Sequence, residues 1–396
     1  MRLSQCPVLA LLLLPMVMTA QDEAGAPYQV FAGGSFISNS FNGTPGSRSP
    51  LTGWDAAVAL PAWRHLRFKV DVSGFNGSNV GAPQHALAIM GGAQYEHTFR
   101  RELLYAHALF GDIGLNRNWG PGGAPGGTAS FAVLLGGGVD TPISRHLAIR
   151  VEANMQHTNF ALIQSRSDPV PYRIPGLPTY FARLTTGLVW TPRLAHPGSL
   201  ANAAIQGDQP PVESELIYET LNSFGHFHIF AYSWWSYLNL AGVEYDRHSW
   251  GRFIGADMDY VAEILPVVIL RQPAKTDVFG DPLSTAHKTV AGFGVSPIGL
   301  RMIWRNGKRW KPYYLIKAGM VGFNKKALSE YASYEDFTLQ QSIGMQFRLN
   351  DRWDIRTGIS DFHFSNAFLV PNNPGIDEMS YNVGLSLHLK PRHIRF

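Results

Sequence analysis

The chain has 396 residues, only 16% of them charged, with a formal net charge of +4 and a single cysteine. No internal apolar run reaches the roughly 18 residues that a membrane-spanning helix needs, which excludes a helical membrane protein, and no basic tract points to nucleic acid. What the composition does hold is 40 Gly, 10 Trp, 15 Tyr and 23 Phe with a mean hydropathy of −0.06; with recurring stretches of about ten alternating residues, this is the pattern of a transmembrane β-barrel.

Residues 1–20 read as a secretory signal. Arg2 supplies the basic start, and Val8 to Met18 form an apolar run too short to span a bilayer, with cleavage expected after Ala20. Cys6 leaves with the signal, so the mature chain is expected to carry no disulfide. Residues 27–192 hold eight candidate strands, near 28–39, 53–62, 66–75, 85–97, 102–115, 130–139, 147–157 and 180–191. Their connections alternate long and short, as external loops and periplasmic turns do in a barrel. The Gly-rich stretch from Gly120 to Gly127 lacks the Lys-Ser/Thr of a phosphate loop and reads as one of the external loops, and Asn42-Gly43-Thr44 is a sequon without consequence in a bacterial envelope protein. Eight strands leave an interior just wide enough to fill with side chains. In architecture alone this half resembles the OmpA-type barrel.

Residues 193–225 read as a polar, Pro-containing periplasmic linker, with 214–225 open between a short helix and a plug. A second set of eight strands is expected within 226–390, near 226–233, 239–248, 252–264, 289–304, 311–322, 335–349, 352–366 and 377–389. Trp250-Gly251, Asn306-Gly307 and Asn350-Asp351 mark tight turns, and Trp250, Trp304, Trp310 and Trp353 stand beside them as an interfacial belt. The fold class is therefore all-β: two eight-stranded antiparallel transmembrane barrels in tandem, with one sixteen-stranded barrel as the alternative. The bacterial outer membrane is the expected location.

The last hairpin carries the chemistry. Trp353, Ile355, Thr357 and Ile359 share one strand face, and the same parity puts His363 and Ser365 on that apolar, lipid-facing side. Residues i and i+2 on a strand point the same way, about 7 Å apart at the backbone, so their side chains can meet. After Asn372-Asn373-Pro374-Gly375 the alternation resumes, which places Asp377 beside His363 and Glu378 on the opposite face. A serine, a histidine and a carboxylate on one face make an acyl-transfer triad. The long loop between these strands is external, so the triad meets the outer leaflet, which is lipopolysaccharide. His226 and His228 share a strand-like spacing but have no further ligands, and no metal or cofactor is called for. Lys325-Lys326 in an external loop could meet phosphate or remain solvated.

At His363-Phe364-Ser365-Asn366 the chain resembles the outer-membrane lipid A 3-O-deacylases of the PagL type. That resemblance implies an eight-stranded barrel with a His-x-Ser-Asn motif on the penultimate strand and an acidic residue after the last loop. It makes Ser365 the nucleophile, His363 the base and Asp377, where the family has Glu, the third member, with Glu378 as the alternative. Asn366 and Asn373 are the implied supports of the oxyanion, and the 3-position ester of lipid A the implied substrate. Asn382-x-Gly384-x-x-Leu387-x-Leu389 resembles the signal read by the outer-membrane barrel assembly machinery. A homodimer is left open. The competing readings are a non-enzymatic structural or adhesin-type protein with a degenerate deacylase half, and a pore.

Overall fold

In the computed structural model, residues 28–39, 50–115, 128–160, 179–191 and 214–389 are described, with short breaks in the connections between strands. They form sixteen strands. The first eight are β1 (Gln29–Ile37), β2 (Leu51–Trp63), β3 (Leu66–Asn79), β4 (Ala82–Phe99), β5 (Glu102–Leu115), β6 (Thr128–Pro142), β7 (Leu147–Thr158) and β8 (Tyr180–Trp190). The second eight are β9 (Ser214–His226), β10 (Tyr237–Phe253), β11 (Ala256–Pro273), β12 (His287–Ile303), β13 (Trp310–Phe323), β14 (Glu335–Arg348), β15 (Trp353–Ser365) and β16 (Gly375–Leu389). Each set closes on itself: β1 pairs with β8, and β16 pairs with β9. Two separate closures rule out the single sixteen-stranded barrel. Among the described residues no helix is long and apolar enough to cross a membrane; the strands, mostly longer than the 9–11 residues a tilted transmembrane strand needs, do the crossing.

The alternation has an inverted sense, apolar outside and polar inside, as expected for a barrel in lipid. Leu184, Leu188, Ile343, Ile359, Val383 and Leu385 are all exposed on outer walls. The interiors are filled by ion pairs. In the first barrel Arg183 reaches Asp55 and Asp71, Lys69 reaches Glu152 at 3.0 Å, and Arg150 reaches Asp140 at 2.7 Å. In the second, Arg301 bridges Asp246 at 2.7 Å and Asp259 at 2.6 Å, while Lys317 touches Glu219, Glu244 and Glu263 at 2.6–2.9 Å. A buried charge is tolerated only when paired and hydrogen-bonded, and these networks cross-link opposite walls.

Towards its external end the second barrel is plugged by apolar side chains. Leu221, Leu240, Leu265, Val321, Leu328, Phe362, Phe364 and Ile376 belong to one cluster. Phe364 packs against Phe323 with ring centroids 5.8 Å apart. Thus the inward residues of the end of β15 are rings locked in the plug, which fixes the strand whose outward residues are His363 and Ser365.

The structure corrects two boundaries. The first strand of the second barrel is not 226–233 but β9, Ser214–His226, and 227–236 connects it to β10. The reason is ionic: Glu215 and Glu219 face the interior, 2% and 0% exposed, while Leu216 and Tyr218 face out. Interior glutamates break the apolar count that marks a strand, so a transmembrane segment reads as polar linker. The expected linker 193–225 therefore ends at 213, and 192–213 lie outside the described residues. Nor is Trp250-Gly251 the turn, because β10 runs past a bulge between His248 and Arg252 to Phe253. The turn falls at Ile254-Gly255, both at positive φ (48° and 75°), as a two-residue hairpin with strand-matching twist requires. Of the tryptophan belt, Trp310 and Trp353 are exposed, and the Trp304 indole N–H donates to the Ile254 carbonyl at 3.2 Å. Residues 1–27, Asn42 to Thr44, the stretch from Gly120 to Gly127 and Asn306-Gly307 lie outside the described residues.

Candidate active site

β15 and β16 pair in register so that His363 stands opposite Asp377, Ser365 opposite Gly375 and Phe362 opposite Glu378. Phe362 and Phe364 point inward at 1% exposure, so His363 and Ser365 point outward, onto the lipid-facing wall. His363 Nδ1 lies 2.6 Å from Asp377 Oδ1, and His363 Nε2 lies 3.2 Å from Ser365 Oγ. With Nδ1–H donating to the carboxylate, Nε2 keeps a lone pair for the serine hydroxyl. Glu378 takes the interior side, fully buried and away from the imidazole. The parity of the sequence placed all four side chains correctly.

Asp377 is outward-facing yet 0% exposed. The chain after β9 covers it: the N–H groups of Ile229 and Ala231 both donate to its Oδ2, at 2.7 and 2.9 Å. One carboxylate oxygen thus holds the imidazole, and two backbone donors hold the other. Sequence reasoning missed this segment because it took 226–233 for a strand. Nothing in the residue types marks it, since the donors are main-chain groups. His228, the second member of the His-x-His pair, lies outside the described residues.

After Ser365 the chain turns at once. Ala367 and Phe368 adopt positive φ, 47° and 61°, and Leu369 N–H donates to the Asn366 carbonyl at 2.9 Å. Left-handed conformations cost non-glycine residues on the order of 1 kcal/mol each, and such strain gathers at functional sites. The turn is held by Asn366, fully buried, whose side-chain amide donates to the Asn372 carbonyl at 2.7 Å. Asn366 therefore braces the two sides of the loop against each other. Asn373 is half-buried beyond it, with no partner on Oδ1. Gly375 leaves room at the nucleophile: an added Cβ would lie 3.2 Å from that of Ser365 and 3.3 Å from His363 Cε1.

Two clusters of acids elsewhere have the spacing of metal ligands, Asp55-Asp71-Glu152 and Glu219-Glu244-Glu263. Both are interior, and both contain their own cations: Lys69 and Arg183 in the first, Lys317 in the second. They act as ion-pair networks. Of the two loop lysines, Lys326 donates to the Glu330 carbonyl at 3.0 Å.

Closed barrels, an outward apolar wall and a hydrogen-bonded Ser365-His363-Asp377 chain set in that wall define the class: an outer-membrane β-barrel protein with a polar, hydrogen-bonded cluster facing lipid. Residues 227–386, which take in all of the second barrel after β9 except its last three residues, match the family model described as lipid A 3-O-deacylase (PagL). No curated protein matches the chain in sequence. Among solved structures, the chain is similar to Neisserial surface protein A (NspA), with 13% identity and a TM-score of 0.32 over 42% of this chain and 98% of that one. It is also similar to the CymD monoaromatic hydrocarbon channel, with 8% identity and a TM-score of 0.18 over 93% of this chain and 90% of that one.

Proposed function

We propose that the C-terminal barrel is a serine esterase that removes an acyl chain from lipid A of lipopolysaccharide, at the 3-position ester. The observation that carries the reading is the continuous Ser365–His363–Asp377 hydrogen-bonded chain on a wall that faces lipid. A polar triad on that wall is costly unless paired, and such residues are functional by default. The family match over 227–386 supports the lipid A class of substrate.

In the reaction, Ser365 Oγ attacks the ester carbonyl carbon while its proton passes to His363 Nε2. Asp377 holds the tautomer and stabilises the imidazolium. The oxyanion meets backbone N–H groups of the turn at Asn366–Ala367 and the Asn373 amide, each donor contributing roughly 3–4 kcal/mol. Collapse breaks the ester bond, and His363 returns the proton to the departing 3-hydroxyl of lipid A. Water, deprotonated by His363, then attacks the acyl-Ser365 ester, and the fatty acid leaves with the serine restored. The barrel assembly machinery, reading the β16 signal at Asn382, Gly384, Leu387 and Leu389, is the partner that inserts the chain.

The test is lipid A mass spectrometry on cells expressing the wild-type chain or Ser365→Ala. Wild type is expected to remove one acyl chain, and the variant to leave lipid A intact while keeping a heat-modifiable band on gels. Acyl release that persists in the variant removes Ser365 from the nucleophile's role.

A further inference from the structure

Beside the nucleophile the two barrels touch. On the lipid-facing wall Ser365 has Phe337 of β14 as its cross-strand neighbour. The Phe337 ring stacks on Phe131 of β6, in the first barrel, with centroids 5.9 Å apart and planes at 19°. The backbone N–H of Phe131 also donates to the carbonyl of Phe368, in the strained turn after Ser365, at 3.3 Å. That N–H is spare for a local reason: pairing of β6 with β7 begins only at Ala132, opposite Thr158. Both partners lie near the external ends of their strands. Phe131 is the fourth residue of β6, which follows the external connection after β5; Phe337 is the third of β14, which follows that after β13. Even strand numbers put the two barrels in the same orientation, so rim meets rim.

We propose that the first barrel is a substrate-positioning part of the deacylase site, with Phe131 as a specificity-determining residue that walls one flank of the ester and guides the acyl chain. The inference rests on the esterase reading of Ser365. An acyl chain whose carbonyl sits at Ser365 Oγ must leave along the apolar wall. On the β16 side of Ser365 stands Gly375, with no side chain. On the β14 side stands Phe337, backed by Phe131. The ring pair is therefore the aromatic side of the site, opposite the small side made by Gly375 and Ala231, and half of it belongs to a domain that contributes nothing to the triad. The same contact pins the Phe368 carbonyl, and so the turn that would present the oxyanion donors.

Two experiments on the full-length chain test this. The first compares wild type, Phe131→Ala and Phe131→Tyr in proteoliposomes, on lipid A and on a water-soluble butyrate ester. Phe131→Ala is expected to raise KM for lipid A about five-fold, the scale of one lost aromatic pair, and to blur the choice between acyl-chain lengths. Turnover of the short ester is expected to fall less than that of lipid A, since a butyryl chain makes little use of the ring pair and the Phe131 main-chain N–H that holds the Phe368 carbonyl is kept in the variant, and Phe131→Tyr is expected to restore the lipid A values. A Phe131→Ala enzyme equal to wild type on lipid A, or equally impaired on both esters, overturns the proposal. The second reads the contact without activity. The chain's one cysteine is Cys6, so Phe131→Cys with Phe337→Cys in a Cys6→Ser background gives a defined pair. A short bis-maleimide, each of whose double bonds adds one cysteine thiol, is expected to join them within one chain, and failure to join overturns the apposition. If Ser365→Ala keeps its activity, the esterase assignment falls; if only the Phe131 results fail, the esterase stands and the role of the first barrel falls.

Discussion

At the residue scale the site turns on which carboxylate holds the histidine. Asp377 and Glu378 are adjacent, and both are fully buried. The pleat separates them: Asp377 lies outside against His363, and Glu378 lies inside opposite Phe362. Asp is one methylene shorter than Glu, yet the contact to Nδ1 is 2.6 Å, because His363 and Asp377 are direct cross-strand partners and no reach is needed. Asp377→Asn keeps the shape and removes the charge, which favours the wrong imidazole tautomer. It is expected to lower kcat for lipid A by about 100- to 10,000-fold, with Glu378→Gln within a few-fold of wild type. Initial rates of fatty-acid release by the two variants decide this, and a larger loss from Glu378→Gln would transfer the third role to that residue.

At the scale of elements, β15 shows how one strand serves two environments. Its inward residues change along its length, from Asp354 and Arg356 in the ionic interior to Phe362 and Phe364 in the apolar plug. Its outward residues change from Ile355 and Ile359 in lipid to His363 and Ser365 at the rim. The lower part is fixed by charge and the upper part by packing. Arg356, for instance, reaches Glu219 on β9 at 2.7 Å, over Gly384 of the intervening β16. Lys317 on β13 binds three glutamates from β9, β10 and β11. Removing one partner from such a buried group leaves uncompensated charge and costs about 3–5 kcal/mol. Lys317→Met is therefore expected to lower the temperature at which the barrel loses its compact, heat-modifiable form. A variant as heat-resistant as wild type would show that the network contributes little to holding the strands together.

At the scale of the whole molecule, both barrels are filled rather than open. Arg183, Lys69 and Arg150 cross the first interior, and Arg301, Arg356 and Lys317 cross the second, all at 0–1% exposure. An eight-stranded barrel has no room for an aqueous channel beside such side chains. Reconstituted into planar bilayers, the purified chain is expected to give no porin-sized conductance steps. Regular large steps would contradict the packed interiors and revive the pore reading. What the molecule offers its surroundings is its outer wall, and there the triad and the rim contact between the barrels lie side by side.

The sequence by itself determined the class, fifteen of the sixteen strands and the face of the site. These depend on a period of two, which a chain displays locally wherever one side meets lipid, and it carried His363, Ser365, Asp377 and Glu378 to their correct sides across the last loop. Only the tertiary structure decided three matters. It made 214–226 a strand, because Glu215 and Glu219 find their cations on distant strands. It buried Asp377 under Ile229 and Ala231, main-chain donors 148 and 146 residues away. It set Phe131 against Phe337 beside the nucleophile. Each is a contact between groups far apart along the chain. Alternation reports which way a side chain points, and it carries no information about what comes to meet it.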